Sequence, residues 1–243
     1  VHTGDFKFDL TPVDGEVADF ATMAMLGREG VLLLLSDSTN ATRPGYTMSE
    51  KVVGKSLEEI ILHAKQRVLI ATFASNVHRI QQVIDAAAKS NRKVAIIGRS
   101  MEKTFEVAMD LGYIRAPKGV VISIDDLKRF REEQLVIMTT GSQGEPMSAL
   151  TRMSTGDHRK IEIMPGDTVV IAANPIPGNE KLVNRTIDNL YHLGAEVIYE
   201  RDASVHVSGH ASQEELKLML SLIRPKYFIP IHGEYRHLME HAR

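Results

Sequence analysis

The chain has 243 residues, 43% of them hydrophobic and 25% charged, with a formal net charge of −2. That is the make-up of an ordinary folded protein with one or two cores, and it excludes a disordered, collagen-like or globally basic chain. Cysteine is absent, which rules out disulfides and thiolate ligands and leaves histidine and carboxylates to hold a metal.

Any nucleic acid must then be met by local rather than global positive charge. Apolar runs such as Val31 to Leu35 are far shorter than the ~18 residues of a membrane span. A soluble, cytoplasmic protein without membrane partners is the expectation. The opening Val1-His2-Thr3-Gly4-Asp5 reads as a strand end entered from upstream, so the chain is expected to be a piece of a longer protein.

Val31 to Leu35 is followed by Ser36-Asp37-Ser38-Thr39-Asn40, the pattern of a strand buried on both faces with small polar groups at its C-terminal end. From Met48 the period changes to helical, with Ser49 as cap and Val52, Val53, Leu57, Ile60 and Ile61 on one face. Alternation then sets in. Strands are predicted over Arg67–Phe73, Lys93–Gly98, Gln134–Thr140, Asp167–Ala172 and Glu196–Tyr199, and helices over Asn76–Lys89, Ser100–Leu111, Met147–Met153 and Asn179–Leu193. Strand and helix in this rhythm imply a doubly wound parallel sheet. Gln213 to Ile223 is a further helix, with Ser212 and Glu215 in capping-box spacing.

The residues suited to chemistry gather at the two extremes of the chain. His206 and His210 precede the last helix and His232 follows it, after Ile229-Pro230-Ile231, at what reads as a strand ended by Pro230. A carboxylate partner stands in Thr3-Gly4-Asp5-Phe6, so the first and last segments are expected to meet. Asp5 can serve as a metal-bridging carboxylate or as a turn residue; His232, before a glycine, can be a ligand or a surface histidine. The start of the 213–223 helix suits an anion. Asp37, Ser75 and Asn76 sit at strand ends, where open α/β sheets place ligands. The Gly141-Ser142-Gln143-Gly144-Glu145-Pro146 loop shares that edge as a phosphate cradle or a tight turn, and it lacks the residues of an ATP or NAD motif. Arg79, Arg92, Lys93, Arg99 and Lys103 read as solvated helix faces or a local basic patch.

Taken together, Thr3-Gly4-Asp5-Phe6-Lys7-Phe8-Asp9, Ser36-Asp37-Ser38-Thr39, Phe73-Ala74-Ser75-Asn76-Val77-His78-Arg79, Thr140 to Pro146, His206-Val207-Ser208-Gly209-His210 and His232-Gly233-Glu234 resemble the ribonuclease J family, in the β-CASP branch of the metallo-β-lactamase superfamily. The resemblance runs in one order across nearly the whole chain. It implies an α/β fold: part of a metallo-β-lactamase αβ/βα sandwich, residues 1–46 and 204–243, with a doubly wound parallel-sheet β-CASP domain, residues 47–203, inserted in it.

It further implies a zinc-dependent hydrolase with two ions in the complete enzyme, cutting RNA from the 5′ end and internally in RNA decay and maturation. Asp5 then corresponds to the bridging metal ligand and His232 to a terminal one. Asp37 is the signature acid and His210 the signature histidine, an acid–base pair in which Asp37 orients and supports the ring. Ser75, Asn76, His206, Ser208 and Gly209 resemble the pocket for a terminal RNA phosphate, preferentially a 5′ monophosphate. A homo-oligomer or paralogue complex is expected of the full-length protein.

The HxHxDH run that supplies most of the superfamily's zinc ligands is missing from this chain, as are the histidine that the family places before the Asp5 position and the family's C-terminal domain. Asp5 and His232 are too few for a four-coordinate zinc, so the chain by itself is expected to be inactive and to bind zinc poorly. Two other readings remain at this point: a non-catalytic RNA-binding scaffold, and a hydrolase of small esters or thioesters. The long stretch between Asp37 and His206 argues against the second of these.

Overall fold

A computed structural model describes residues 1–176, 178–199 and 204–243. The chain forms two units, one made of Val1–Lys51 with Val207–Arg243, the other of Val52–His206. The expected boundary at Ala203 lies outside the described residues. No described helix is long and apolar enough to cross a membrane.

The larger unit grows from short runs of β-branched and aliphatic residues. Strands β2 (Val68–Ala71), β3 (Lys93–Ile97), β4 (Val121–Ile122), β5 (Leu135–Thr139), β6 (Thr168–Ile171) and β7 (Glu196–Ile198) form one sheet in the order β4-β3-β5-β2-β6-β7. Every pairing is parallel. Parallel strands need crossovers, supplied by α3 (Val77–Lys89), α4 (Arg99–Asp110), α5 (Ala149–Ser154) and α6 (Glu180–His192).

Side-chain alternation gives the sheet two buried faces. Leu69, Ala95, Ile137, Val169 and Val197 pack with Leu150 and Met153 of α5 and with Val183, Ile187 and Leu190 of α6. Ile70, Val94, Val136, Met138 and Val170 are buried on the opposite side, where α3 and α4 lie against β3. This is the doubly wound module that the alternation predicts. Helix α2 (Glu50–His63) buries Val53, Leu57 and Ile61, the middle of the predicted apolar stripe, while Val52 is exposed.

The buried arginines of this unit meet carboxylates and backbone carbonyls. The Arg67 guanidinium grips Asp167 with two hydrogen bonds, 2.8 and 2.7 Å, and also donates to the Glu162 carbonyl. Asp167 in turn accepts from Met164 N–H at 2.8 Å. Arg79 and Arg92 are not the solvated residues that helix periodicity suggests. Both are buried, Arg79 donating to the carbonyls of Ala172 and Val205 and Arg92 to those of Gln66 and Ala64. Free carbonyls at chain crossings need a donor, and a long guanidinium reaches several at once.

The Gly141–Pro146 loop is likewise no open cradle. Ser142 and Gln143 are buried, and Gln143 ties the loop to the next one by donating to Asn174 O and accepting from Ile176 N–H. A Cβ on Gly144, at φ +68°, would stand 2.5 Å from the Leu182 carbonyl carbon. The loop packs too closely against α6 to receive a ligand there.

In the smaller unit β1 (Leu33–Asp37) pairs with β8 (Tyr227–Ile231) in parallel, Leu33 opposite Tyr227 and Asp37 opposite Ile231. Val1 to Thr3 runs along the other edge of β1. The strand starts two residues later than the apolar run suggests; Leu34 and Ser36 on one face are enclosed, while Leu33 and Leu35 on the other are partly open. Helix α7 (Gln213–Ile223) covers the enclosed face through Met219 and Ile223, with Phe8 beside them. Pro230 does not end β8 but sits within it, facing Ser36; a strand with a single neighbour tolerates a residue without N–H.

Two helices were not expected from the sequence, α1 (Phe20–Glu29) and α8 (Tyr235–Ala242). Gly27 lets α1 approach α7 closely, since a Cβ there would overlap the Leu222 carbonyl oxygen. Residues 204–211 are irregular rather than strand, so His206 and His210 sit on a loop.

Candidate active site

Ser212 starts α7 as predicted, and its N–H donates to Glu215 Oε2 at 2.8 Å. The same carboxylate accepts from Thr47 N–H at 2.6 Å and from Phe8 N–H at 2.7 Å. Glu215 is fully buried and so joins three segments remote in sequence. Three more bonds fix the loop before it: Thr47 Oγ1 donates to His210 O at 2.7 Å, and Asn40 Nδ2 donates to His210 O at 2.9 Å and Ser208 Oγ at 2.8 Å. Ser208 Oγ also accepts from His210 N–H at 3.2 Å. With both acceptor positions of that hydroxyl used, its hydrogen remains for an incoming acceptor.

The backbone anchored this way presents the His210 ring to Asp37, Nδ1 to Oδ2, at 2.7 Å. Asp37 is buried at the end of β1, and its Oδ1 accepts from Thr39 N–H at 3.0 Å and from the Thr39 hydroxyl at 2.8 Å. Burial works against its charge, but the bonds from His210 and Thr39 outweigh it and hold the carboxyl down at about 2. The hydrogen bond to Asp37 raises the His210 imidazole above its ordinary value, against burial and the Arg43 charge and helped by the charges of Asp37 and Asp5.

His232 follows β8 in the left-handed region, φ +54°, its carbonyl accepting from Ser38 N–H at 3.1 Å. Its ring stacks on His210 with centroids 5.2 Å apart. Its Nδ1 lies 2.7 Å from Thr39 Oγ1 and 3.4 Å from Asp37 Oδ1, and its Nε2 lies 3.7 Å from Asp5 Oδ1. Asp5 leaves the edge beside β1 at Gly4, whose φ of +61° turns the chain, and Thr3 Oγ1 behind it accepts from Asp37 N–H.

Ligand atoms of Asp5, Asp37, His210 and His232 thus all lie within 4.8 Å of one another. Asp37 has both oxygens committed and His210 retains only Nε2; the open pair at ligand spacing is Asp5 and His232. Their 3.7 Å separation is near the ~3.4 Å between neighbouring ligands on a tetrahedral ion with bonds of about 2.0–2.2 Å. Two such donors fit a zinc-type ion but do not complete its shell.

Of the other predicted site residues, Ser208 and the exposed Gly209 belong to the His210 loop, and His206, half-buried, closes the larger unit. Ser75 and Asn76 lie in that larger unit at the start of α3, where Asn76 accepts from Arg79 N–H as helix cap. The sequence marks Glu215 only as a local cap and does not point to Thr39, Asn40, Thr47 or His241 as site residues. The last of these packs on Phe228 and meets Ser38 Oγ at 2.9 Å through Nδ1. Burial pushes it down to about 4, against the pull of Asp37.

The larger unit is similar to known proteins in a specific way: residues 65–190 match the family model described as ribonuclease J, beta-CASP domain. Residues 194–243 match the model described as Zn-dependent metallo-hydrolase RNA specificity domain. Curated relatives include ribonuclease J 1 of Streptococcus pyogenes, 53% identical over 99% of this chain and 43% of its own length. Ribonuclease J of Thermus thermophilus is 54% identical over 98% of this chain and 42% of its own, and ribonuclease J2 of Bacillus subtilis is 50% identical over 100% and 44%. The chain spans less than half the length of these relatives.

Proposed function

The chain belongs to the ribonuclease J β-CASP family, and on that premise we propose that it supplies the acid–base pair and two of the metal ligands of a dizinc ribonuclease. The observation that carries this reading is the convergence of Asp5 and Asp37 from the beginning of the sequence with His210 and His232 from its end. Metal ions, when bound, supply Lewis acidity and a nucleophile at neutral pH. Asp5 and His232 would hold them together with ligands from the rest of the parent protein, whose relatives are more than twice as long as this chain.

This chain's own residues do the proton work. His210 is pinned through Nδ1, leaving Nε2 to hand a proton to the leaving oxygen of the scissile phosphodiester, and the buried Asp37 balances the imidazolium charge. The Ser208 hydroxyl, with its hydrogen still to donate, can grip an RNA phosphate oxygen and would form a terminal phosphate pocket with Gly209. Such a pocket favours a 5′ monophosphate and stepwise 5′-to-3′ trimming beside internal cutting. Contact with the backbone rather than base edges predicts affinity that drops with salt and depends little on sequence.

We place the parent protein in the cytoplasm, in RNA decay and maturation, as an oligomer of itself or with a paralogue. The test is His210→Ala in the complete enzyme. Cleavage should fall by about 10²–10⁴-fold while RNA binding persists. Unchanged cleavage would instead favour a scaffold that binds RNA without cutting it.

A further inference from the structure

We propose that Thr39 is a positioning residue that fixes the tautomer of His232, so that Nε2 and not Nδ1 of that ring is the atom offered to a metal. The inference rests on His232 being a ligand, as above, and adds how the ring is prepared for it.

The argument is a count of hydrogens. The Thr39 hydroxyl has one, and three acceptors surround it: Asp37 Oδ1 at 2.8 Å, His232 Nδ1 at 2.7 Å and His232 O at 3.3 Å. If it went to the imidazole, a hydroxyl lone pair would face a buried carboxylate oxygen at hydrogen-bond distance, repelling it and leaving part of its charge uncompensated. The hydrogen therefore goes to Asp37. Nδ1 of His232 must then be the donor in the short contact to Thr39 Oγ1, and the same hydrogen also faces Asp37 Oδ1 at 3.4 Å. A neutral imidazole with its hydrogen on Nδ1 carries its lone pair on Nε2, the atom that looks toward Asp5.

Thr39 is itself held in place, its N–H bound to Asp37 Oδ1 at 3.0 Å. Asp37 consequently orders two stacked rings with its two oxygens. Oδ2 holds His210 directly, and Oδ1 holds His232 through one intervening hydroxyl. Partners of this kind orient a ligand histidine and raise its basicity, and losing one typically weakens metal binding about 10–100-fold.

The test uses the complete parent protein and zinc, with affinity measured by competition against a chromophoric chelator. Thr39→Val, which keeps the shape and removes the hydroxyl, should weaken zinc binding by about 10–100-fold, and Thr39→Ser should restore it. In the metal-free protein, ¹⁵N-histidine spectra should show His232 with a protonated Nδ1 and a bare Nε2 in wild type, and a tautomer mixture in Thr39→Val. Matching thermal unfolding of the metal-free proteins separates this from misfolding. Unchanged zinc affinity in Thr39→Val, or a wild-type ring protonated on Nε2, overturns the proposal. His232→Ala keeps the two levels apart: if that variant also binds zinc as tightly as wild type, the ligand assignment itself is wrong, whereas weakened binding there with no effect of Thr39→Val defeats only the role of Thr39.

Discussion

Asp37 and His210 stand 173 residues apart in sequence and 2.7 Å apart in space. The carboxylate is buried and the ring only partly so, so the charge that steadies the imidazole is shielded while the ring keeps contact with solvent. An interaction of this kind is stronger than an exposed ion pair because water screens it less.

Asp37→Asn should remove the charge while keeping the shape. Its amide can present N–H to His210 Nδ1 and force the other tautomer, the failure expected when a triad-type acid becomes an amide. In the parent enzyme cleavage should fall by about 10²–10⁴-fold with RNA affinity close to wild type. Near-normal turnover in single-turnover assays would show that the pair does not take part in the chemistry.

The same pair predicts a pH window. The His210 value is raised in the folded protein, so its stabilising contribution is full below its ordinary 6.5 and disappears as pH climbs through the raised value. Asp37 is lowered from 3.8 to about 2, so its contribution is present above 3.8 and disappears as pH falls toward 2. The pair should stabilise most between about 4 and 6.5. Histidine NMR titrations of this chain should place His210 above 6.5 and His241 near 4; in Asp37→Asn, His210 should drop. An unshifted His210 in wild type would contradict the pairing.

Glu215→Gln should cost about 2–4 kcal/mol of stability. One amide oxygen can still receive a backbone N–H, but the –NH₂ group would then meet donors where the carboxylate accepted from Thr47 and Ser212. Thermal unfolding of this chain reads the effect directly, and a shift too small to measure would mean that the three segments are held by other means.

Ser208→Ala and His206→Ala should impair trimming from monophosphorylated 5′ ends more than internal cutting. The Ser208 hydroxyl is anchored by Asn40 and His210 with its hydrogen unspent, a geometry suited to a phosphate oxygen. Equal losses on end-labelled and circular RNA would remove both residues from a terminal-phosphate role.

This chain alone should bind zinc weakly and leave RNA uncut, because with Asp37 and His210 paired as acid and base, Asp5 and His232 are the donors of the cluster left to the metal. Calorimetric titration and an RNA cleavage assay check both statements. Tight zinc binding by the isolated chain would mean that Asp37, or His210 through Nε2, joins Asp5 and His232 as a ligand.

Much of the fold was legible because the larger unit consists of short apolar strands between amphipathic helices, and burial on both sheet faces writes itself into the sequence. Helix α7 was placed to the residue because its Ser212–Glu215 box and apolar stripe agree. α1 was missed because it buries no residue fully and contains Gly27, which is there for a close approach to α7 rather than for helix stability. The start of β1 was set by where its partner β8 begins, Tyr227 lying opposite Leu33, and not by where the apolar run begins. The four clustered site residues were named from motifs at the two ends of the chain. Thr39 and Glu215 escaped because their value lies in which distant groups they meet: Thr39 looks like one more small polar residue at a strand end, and Glu215 like a local cap.

The pairing of β1 with β8 also fixes an order of events during synthesis. The first strand leaves the ribosome long before its neighbour exists, and every residue of the six-stranded unit is made in between. That unit has its own core and can collapse by itself, while β1 waits with an open hydrogen-bonding edge, a form prone to mispairing. The smaller unit can therefore be completed only after the middle one has been made, since closing so long a loop weighs against early pairing. Substitutions that delay the middle unit should lower the yield of folded protein without touching Asp5, Asp37, His210 or His232.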